Sequence, residues 1–194
     1  DDEIDFKIHY YNEHPFPRLA IKRRKELVAL GIPVSIDTRG SYISAKDWKE
    51  ALDDESADKI VLDIRNDYEW KLGHFKGSYL FQCQTFKEFI SSLDDLKKKI
   101  KPTTKVLMCC TGGIRCEIFS SLLINEGITN VFQLKGGIIR YGFEEQSKHW
   151  LGKLFVFDDR LSVPISEEKA PAIGRCHHCS EVAENYYNCA NIDC

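Results

Sequence analysis

The sequence predicts an α/β fold: a parallel sheet flanked by helices, with a small cysteine-rich appendage at its C-terminal end. Three observations carry this reading. Short apolar runs (KIVLDIR at 59–65, KVLMCC at 105–110, NVFQL at 130–134) alternate with segments of helical periodicity. Strands separated by helices connect in parallel and are covered on both faces. Beyond about residue 150 the pattern stops, and four of the eight cysteines crowd into the last segment.

Residues 1–34 read as a lead-in segment, the expected remnant of a missing N-terminal domain. IDFKIHYY alternates in part as an edge strand does, and the following stretch carries two prolines and a basic run without a core of its own. Residues 35–150 form the expected catalytic domain. SAKDWKEAL begins a short helix with Ser44 as its N-cap. KIVLDIR is a buried strand. Phe86, Phe89, Ile90, Leu93, Leu96 and Ile100 mark one face of a helix over 86–100. KVLMCC is a second buried strand, Arg115–Asn125 a helix with Gly127 just past its end, NVFQL a third strand, and a last helix starts near Ile138. Residues 151–194 form a C-terminal extension: a strand in FVFDDRLSV, the polar linker SEEKAPAIG, then the cysteine-rich tail.

Hydrophobic residues make up 43% of the chain and charged residues 29%, as in soluble globular proteins. No apolar run approaches the roughly 20 residues that span a bilayer, so no membrane partner is expected. The start lacks a signal-peptide pattern, and the cysteines fall in clusters. Both point to a reducing, cytoplasmic setting in which the thiols serve catalysis and metal binding. The net charge of -3 provides no global field for polyanions, so such a site must be local. Arg18, Lys22, Arg23, Arg24 and Lys25 form the densest basic cluster, either a solvated face or a phosphate-binding patch.

KVLMCCTGGIRCE places strand, loop and helix in succession. Ligands of parallel sheets bind beyond the carboxyl ends of strands, where Cys110 falls. Thr111, Gly112, Gly113 and Ile114 complete a tight loop whose amides point inward, and the next helix adds its positive end. Arg115 contributes a fixed charge. Together these features lower a thiol pKa and mark Cys110 as a nucleophile. Cys109 competes for the role, through a cysteine-x5-arginine spacing like that of protein phosphatases. Adjacent strand residues face opposite ways, so only one of the two enters the loop. Cys110, nearer the glycines, is the choice, and Cys109 becomes a buried small hydrophobe.

KIVLDIRNDYEWKLGHFKGS, CTGGIRCE and LKGGI resemble rhodanese segments. KRRKELVALG, TGGIRCE, LKGGI and FVFDDR resemble, more narrowly, the rhodanese-domain tRNA uridine hydroxylases, over about residues 6–162. The resemblance implies a rhodanese-like fold and oxygen-dependent conversion of the tRNA wobble uridine to 5-hydroxyuridine. Cys110 is then the catalytic thiolate, tRNA the partner and molecular oxygen the cosubstrate. No organic cofactor is evident, and no protein partner is legible. A thiosulfate-type sulfurtransferase working through a Cys110 persulfide is the alternative. A non-catalytic rhodanese binding module is a second, which the intact loop opposes.

Asp63 and Arg65 end a strand before the loop; they form either a structural ion pair or, with Arg65, a pocket edge. Asp67 and Glu69 read as helix-start residues. His74 falls either at the cleft entrance or on the surface, and Cys116 reads as a packed thiol. Asp158, Asp159 and Arg160 tie a strand to the fold. In the tail, Cys176-x2-Cys179 and Cys189-x4-Cys194 fit a tetrahedral structural zinc, with His177 and His178 as substitute ligands. A segment this short needs such a staple.

Overall fold

Short runs of mainly apolar residues build the centre of the molecule. In this computed structural model, which describes residues 11–18, 21, 23, 28 and 30–186, these runs become strands β1 (Ser41–Ile43), β2 (Lys59–Asp63), β4 (Tyr79–Leu80), β5 (Lys105–Cys109) and β6 (Val131–Leu134). They form one sheet in the order β1-β6-β5-β2-β4, parallel throughout. Strand β3 (Gly73–Phe75) pairs antiparallel with β7 (Trp150–Gly152) outside this sheet.

The pleat sends alternate residues of β5 into two separate cores. Val106 and Met108, with Cys110 just beyond the strand, face one side; Leu107 and Cys109 face the other. The first side is covered by α4 (Ile114–Asn125), through Cys116, Phe119, Leu122 and Leu123, and by Phe86, Phe89, Leu93 and Leu96. The second is covered by α1 (Ala45–Asp53) through Trp48, and by α5 (Gly137–Glu145) through Ile138 and Tyr141. Ser44 caps α1 as expected, its hydroxyl oxygen accepting from the Asp47 amide at 3.1 Å.

Two expected elements differ. The helix over 86–100 divides into a 3₁₀ segment, Phe86–Ser92, and a short α3, Leu93–Lys97. The inward residues Phe86, Phe89, Leu93 and Leu96 are spaced mostly by three, which a 3₁₀ turn satisfies as well as an α-helix. FVFDDRLSV is not one strand but a small antiparallel pair, β8 (Leu154–Phe155) and β9 (Ser162–Val163). The intervening turn is closed by Asp158, which accepts from Arg160 Nε at 2.8 Å and from the Arg160 amide at 3.1 Å. The Asp159 amide donates to the Pro15 carbonyl at 3.0 Å, a link from this turn to the lead-in that the sequence did not foretell. The expected strand in IDFKIHYY lies outside the described residues, apart from Tyr11. No helix among the described residues is long and apolar enough to cross a membrane.

Candidate active site

Cys110 stands at the carboxyl end of β5, where the chain turns through Thr111, Gly112 and Gly113 into α4. Gly113 sits at φ +92°, a conformation that favours glycine, and its amide donates to Cys110 Sγ at 3.1 Å. Burial alone pushes the Cys110 thiol upward. The Cys116 thiol, the Arg115 charge and the amides of Cys116 and Arg115 outweigh it and bring the pKa down to about 6. Cys109, completely buried on the other side of the sheet, is pushed well above the ordinary thiol range by burial, with Asp63 adding to the effect. The two adjacent cysteines are thus opposites: one is a poised thiolate, the other a protonated core residue.

A cleft of about 430 Å³ opens above the sulfur. Val28, Phe86 and Phe157 supply apolar wall; Asn66, Thr111 and Arg115 supply polar groups. The Arg115 guanidinium lies 5.8 Å from the Phe157 ring centroid.

Glu69 is the functional residue that sequence reasoning missed. Its carboxylate is fully buried and takes Arg115 in a two-pronged grip, Nη1 to Oε2 at 2.6 Å and Nη2 to Oε1 at 2.8 Å. Thr111 Oγ1 donates to the same carboxylate at 3.3 Å, and the Asn66 amide donates to it at 3.0 Å. Glu69 does open the short helix α2 (Asp67–Trp70), as expected, but it also reaches across to the loop. A buried acid one turn into a helix, with an arginine in a distant glycine loop, is the only trace of this pairing in the sequence.

The second unforeseen support is the turn before α5. Gly137, at φ +69°, lies so close to the loop that an added Cβ would stand 2.5 Å from the Thr111 carbonyl. The amides of Ile138 and Ile139 donate to the carbonyls of Cys110 (3.0 Å) and Thr111 (3.2 Å). The start of α5 therefore ties up the loop's carbonyl oxygens and leaves its N–H groups for the sulfur.

Asp63 and Arg65 take the structural place. Both are completely buried, with Arg65 Nε on Asp63 Oδ1 at 2.8 Å and Arg65 Nη2 on the Gly73 carbonyl at 2.6 Å. Arg65 is not at a pocket edge; it stacks 5.3 Å from the Trp150 ring. His74 is likewise absent from the cleft walls and meets the Trp70 carbonyl through Nδ1 at 2.7 Å. Of the basic cluster, Arg18 and Arg23 are exposed, whereas Lys22, Arg24 and Lys25 lie outside the described residues. Cys176 and Cys179 are described with free thiols; Cys189 and Cys194 lie outside the described residues. Among the described residues no group of three or more His, Cys, Asp or Glu is arranged to hold a metal.

Residues 44–142, just over half of the chain, match the rhodanese-like domain. The chain belongs to the rhodanese-like family. Residues 151–194 match a second family, described as rhodanase C-terminal. The rhodanese-like chain is 53% identical, over all of its length, to a tRNA uridine(34) hydroxylase from Protochlamydia amoebophila, covering 60% of that protein. It is 50% identical to the protein of the same name from Chlamydia felis, with 98% of this chain and 59% of that one covered. A third, from Chlamydia caviae, is 52% identical over 98% of this chain and 58% of that protein. The chain thus spans about 60% of the length of the curated relatives it matches.

Proposed function

We propose that this chain carries the catalytic centre of a tRNA uridine hydroxylase, with Cys110 as the nucleophile, uridine at the wobble position as substrate and molecular oxygen as cosubstrate. The observation that carries the reading is the Cys110 thiolate, poised at about pKa 6 on the floor of an apolar-walled cleft. Relatives bearing the hydroxylase name at about half identity across the chain supply the substrate class.

The chemistry follows from the electronics of uracil. The thiolate lone pair forms a bond to carbon 6, and the carbon 5–carbon 6 π pair moves into an enolate over carbon 5 and oxygen 4. Carbon 5 then bonds to oxygen, and a proton converts the adduct to a hydroperoxide. Two equivalents of a thiol reductant cleave the O–O bond, leaving the 5-hydroxyl, one water and a disulfide. Loss of the carbon 5 proton restores the double bond and expels the Cys110 thiolate. The inward loop amides and the polar wall of the cleft favour the negative charge that develops along this path.

The sulfurtransferase alternative shares the loop but asks for a site that welcomes a small dianion such as thiosulfate. Glu69 weighs against it, because both terminal nitrogens of Arg115 are already spent on that carboxylate. The deciding experiment is nucleoside mass spectrometry of tRNA incubated with the protein and a thiol reductant, with and without oxygen, beside an assay of thiosulfate turnover. Oxygen-dependent 5-hydroxyuridine from wild type and none from Cys110→Ser is the expected result. Thiosulfate turnover without hydroxylation overturns it.

Two further assignments belong to this reading. Arg18, Lys22, Arg23, Arg24 and Lys25 contact tRNA phosphates; Val28, three residues after Lys25, is part of the cleft wall, which supports a position beside the site. Cys176, Cys179, Cys189 and Cys194 hold a structural zinc. Support comes from the first pair: the amides of Cys179 and His178, followed by the Cys179 thiol, lower the pKa of Cys176, as suits a thiolate ligand. Such an ion would tie the tail together and, with four protein ligands, take no part in the chemistry.

A further inference from the structure

A second hollow lies beside the Cys110 cleft. It measures about 660 Å³ and is bounded by α2, by Gln84 and Thr85, and by residues between 174 and 186 of the C-terminal extension. Two pairs of consecutive residues divide the hollows. Asn66 and Phe86 line the cleft, while their chain neighbours Asp67 and Thr85 line the second hollow. Consecutive Cα atoms are only about 3.8 Å apart, so the two spaces meet along one rim. Asn66 Nδ2 donates to the Tyr68 hydroxyl at 3.0 Å, joining the two sides of that rim.

The extension is fixed firmly enough to form a wall. The Gly152 amide donates to the Pro171 carbonyl at 2.8 Å, Ser162 Oγ donates to the Glu184 carbonyl at 3.2 Å, and Lys153 pairs with Glu184 at 3.5 Å. Gly174 packs against Leu72 and the Ala183 carbonyl, where an added Cβ would stand 2.3 Å from that oxygen.

The groove's chemistry is unlike that of the cleft. Arg175 is exposed, donates Nη1 to the Ser180 carbonyl at 3.0 Å, and has no carboxylate partner among the described residues. The acid in the groove, Asp67, is offset by its pair with Lys71. Tyr186 is 38% exposed and braced by Phe155, with ring centroids 5.3 Å apart. Asn185 and Gln84 add neutral amides. A braced, exposed aromatic ring beside an uncommitted guanidinium and neutral amides is how proteins meet single-stranded nucleic acid. The ring stacks on a base, the cation meets phosphate, and the amides reach base edges.

We propose that this groove is an RNA subsite, holding the nucleotide next to the one whose base enters the Cys110 cleft. Arg175 takes its phosphate and Tyr186 stacks on its base. The inference rests on the reading of a uridine in RNA as substrate. It adds to that reading the C-terminal extension as part of the substrate surface, and it gives the polynucleotide a path out of a cleft sized for a single small ligand.

The test is fluorescence anisotropy of the 194-residue chain with a labelled RNA hairpin carrying uridine in its loop, titrated at several salt concentrations. Tyr186→Leu keeps apolar contact with Phe155 but loses the stacking face, and weakens binding by about tenfold or more. Tyr186→Phe keeps the face and binds as wild type does. Arg175→Gln keeps a donor for Ser180 and lowers the slope of log affinity against log salt by roughly 0.7. Wild-type affinity and slope in both Tyr186→Leu and Arg175→Gln overturn the inference and leave the uridine reading standing. A hairpin that fails to bind the wild-type chain overturns both.

Discussion

Replacing Cys116 with alanine tests how the Cys110 thiolate is made. Cys116 is completely buried, and hydrogen bonding from its thiol is, after the opposing effect of burial, the largest influence on the Cys110 pKa. With a pKa of about 6, Cys110 is roughly 90% ionised at pH 7, against about 3% for an unperturbed thiol near 8.5. A hydrogen bond to a charged group contributes about 1.5–3 kcal/mol, equivalent to roughly one to two pKa units at 1.36 kcal/mol each. Cys116→Ala should therefore move the midpoint from about 6 to about 7–8. At pH 6 the thiolate fraction should fall roughly five- to fiftyfold. The assay is iodoacetamide alkylation across pH 5–9, with modification of the Cys110 peptide followed by mass spectrometry so that other thiols do not contribute. Cys116→Ser retains a donor and should keep the midpoint low. An unchanged midpoint in Cys116→Ala would show that the loop amides and Arg115 suffice, and would refute the claim that the Cys116 thiol lowers the Cys110 pKa.

Gly137→Ala should slow Cys110 alkylation at least tenfold and lower the melting temperature, because its Cβ would press within 2.5 Å of the Thr111 carbonyl at a φ of +69°. Glu69→Gln leaves Arg115 charged and nearly buried without its counter-ion; thermal or urea unfolding should report a loss of about 3–5 kcal/mol. Metal analysis of freshly reduced protein should find about one zinc per chain, and chelation should increase protease sensitivity beyond Gly174 while sparing the sheet.

The sheet was legible because β2, β5 and β6 are short apolar runs set between helical segments, and their parallel order follows from that alternation. Cys110 was legible for a related reason. Strand, paired glycines, arginine and helix fall within a dozen residues, so the loop's chemistry is written locally. Glu69 was not, since its helix-start role explains it fully until the fold brings Arg115 to it from 46 positions away. The split of the 86–100 helix was hidden because a spacing of three is compatible with both helix types. Arg65 was legible only as a choice. An arginine at a strand end can pair with the neighbouring aspartate or edge the pocket, and the fold takes the first course: its fork closes on Asp63 and the Gly73 carbonyl inside the core.

These distant pieces share one electrostatic purpose. A glycine loop presents carbonyl oxygens as readily as amides, and carbonyls near the sulfur would raise its pKa. The amides of Ile138 and Ile139 bind the carbonyls of Cys110 and Thr111, which biases the loop toward the Gly113 amide on the sulfur. Glu69 removes the freedom of Arg115 to leave the site or to seize an anion, yet keeps its charge near enough to lower the Cys110 pKa. A site arranged this way favours an anion generated within it over one that arrives from solution. That preference suits a neutral base that becomes an enolate after the thiolate attacks, and it disfavours a substrate that enters already carrying two negative charges.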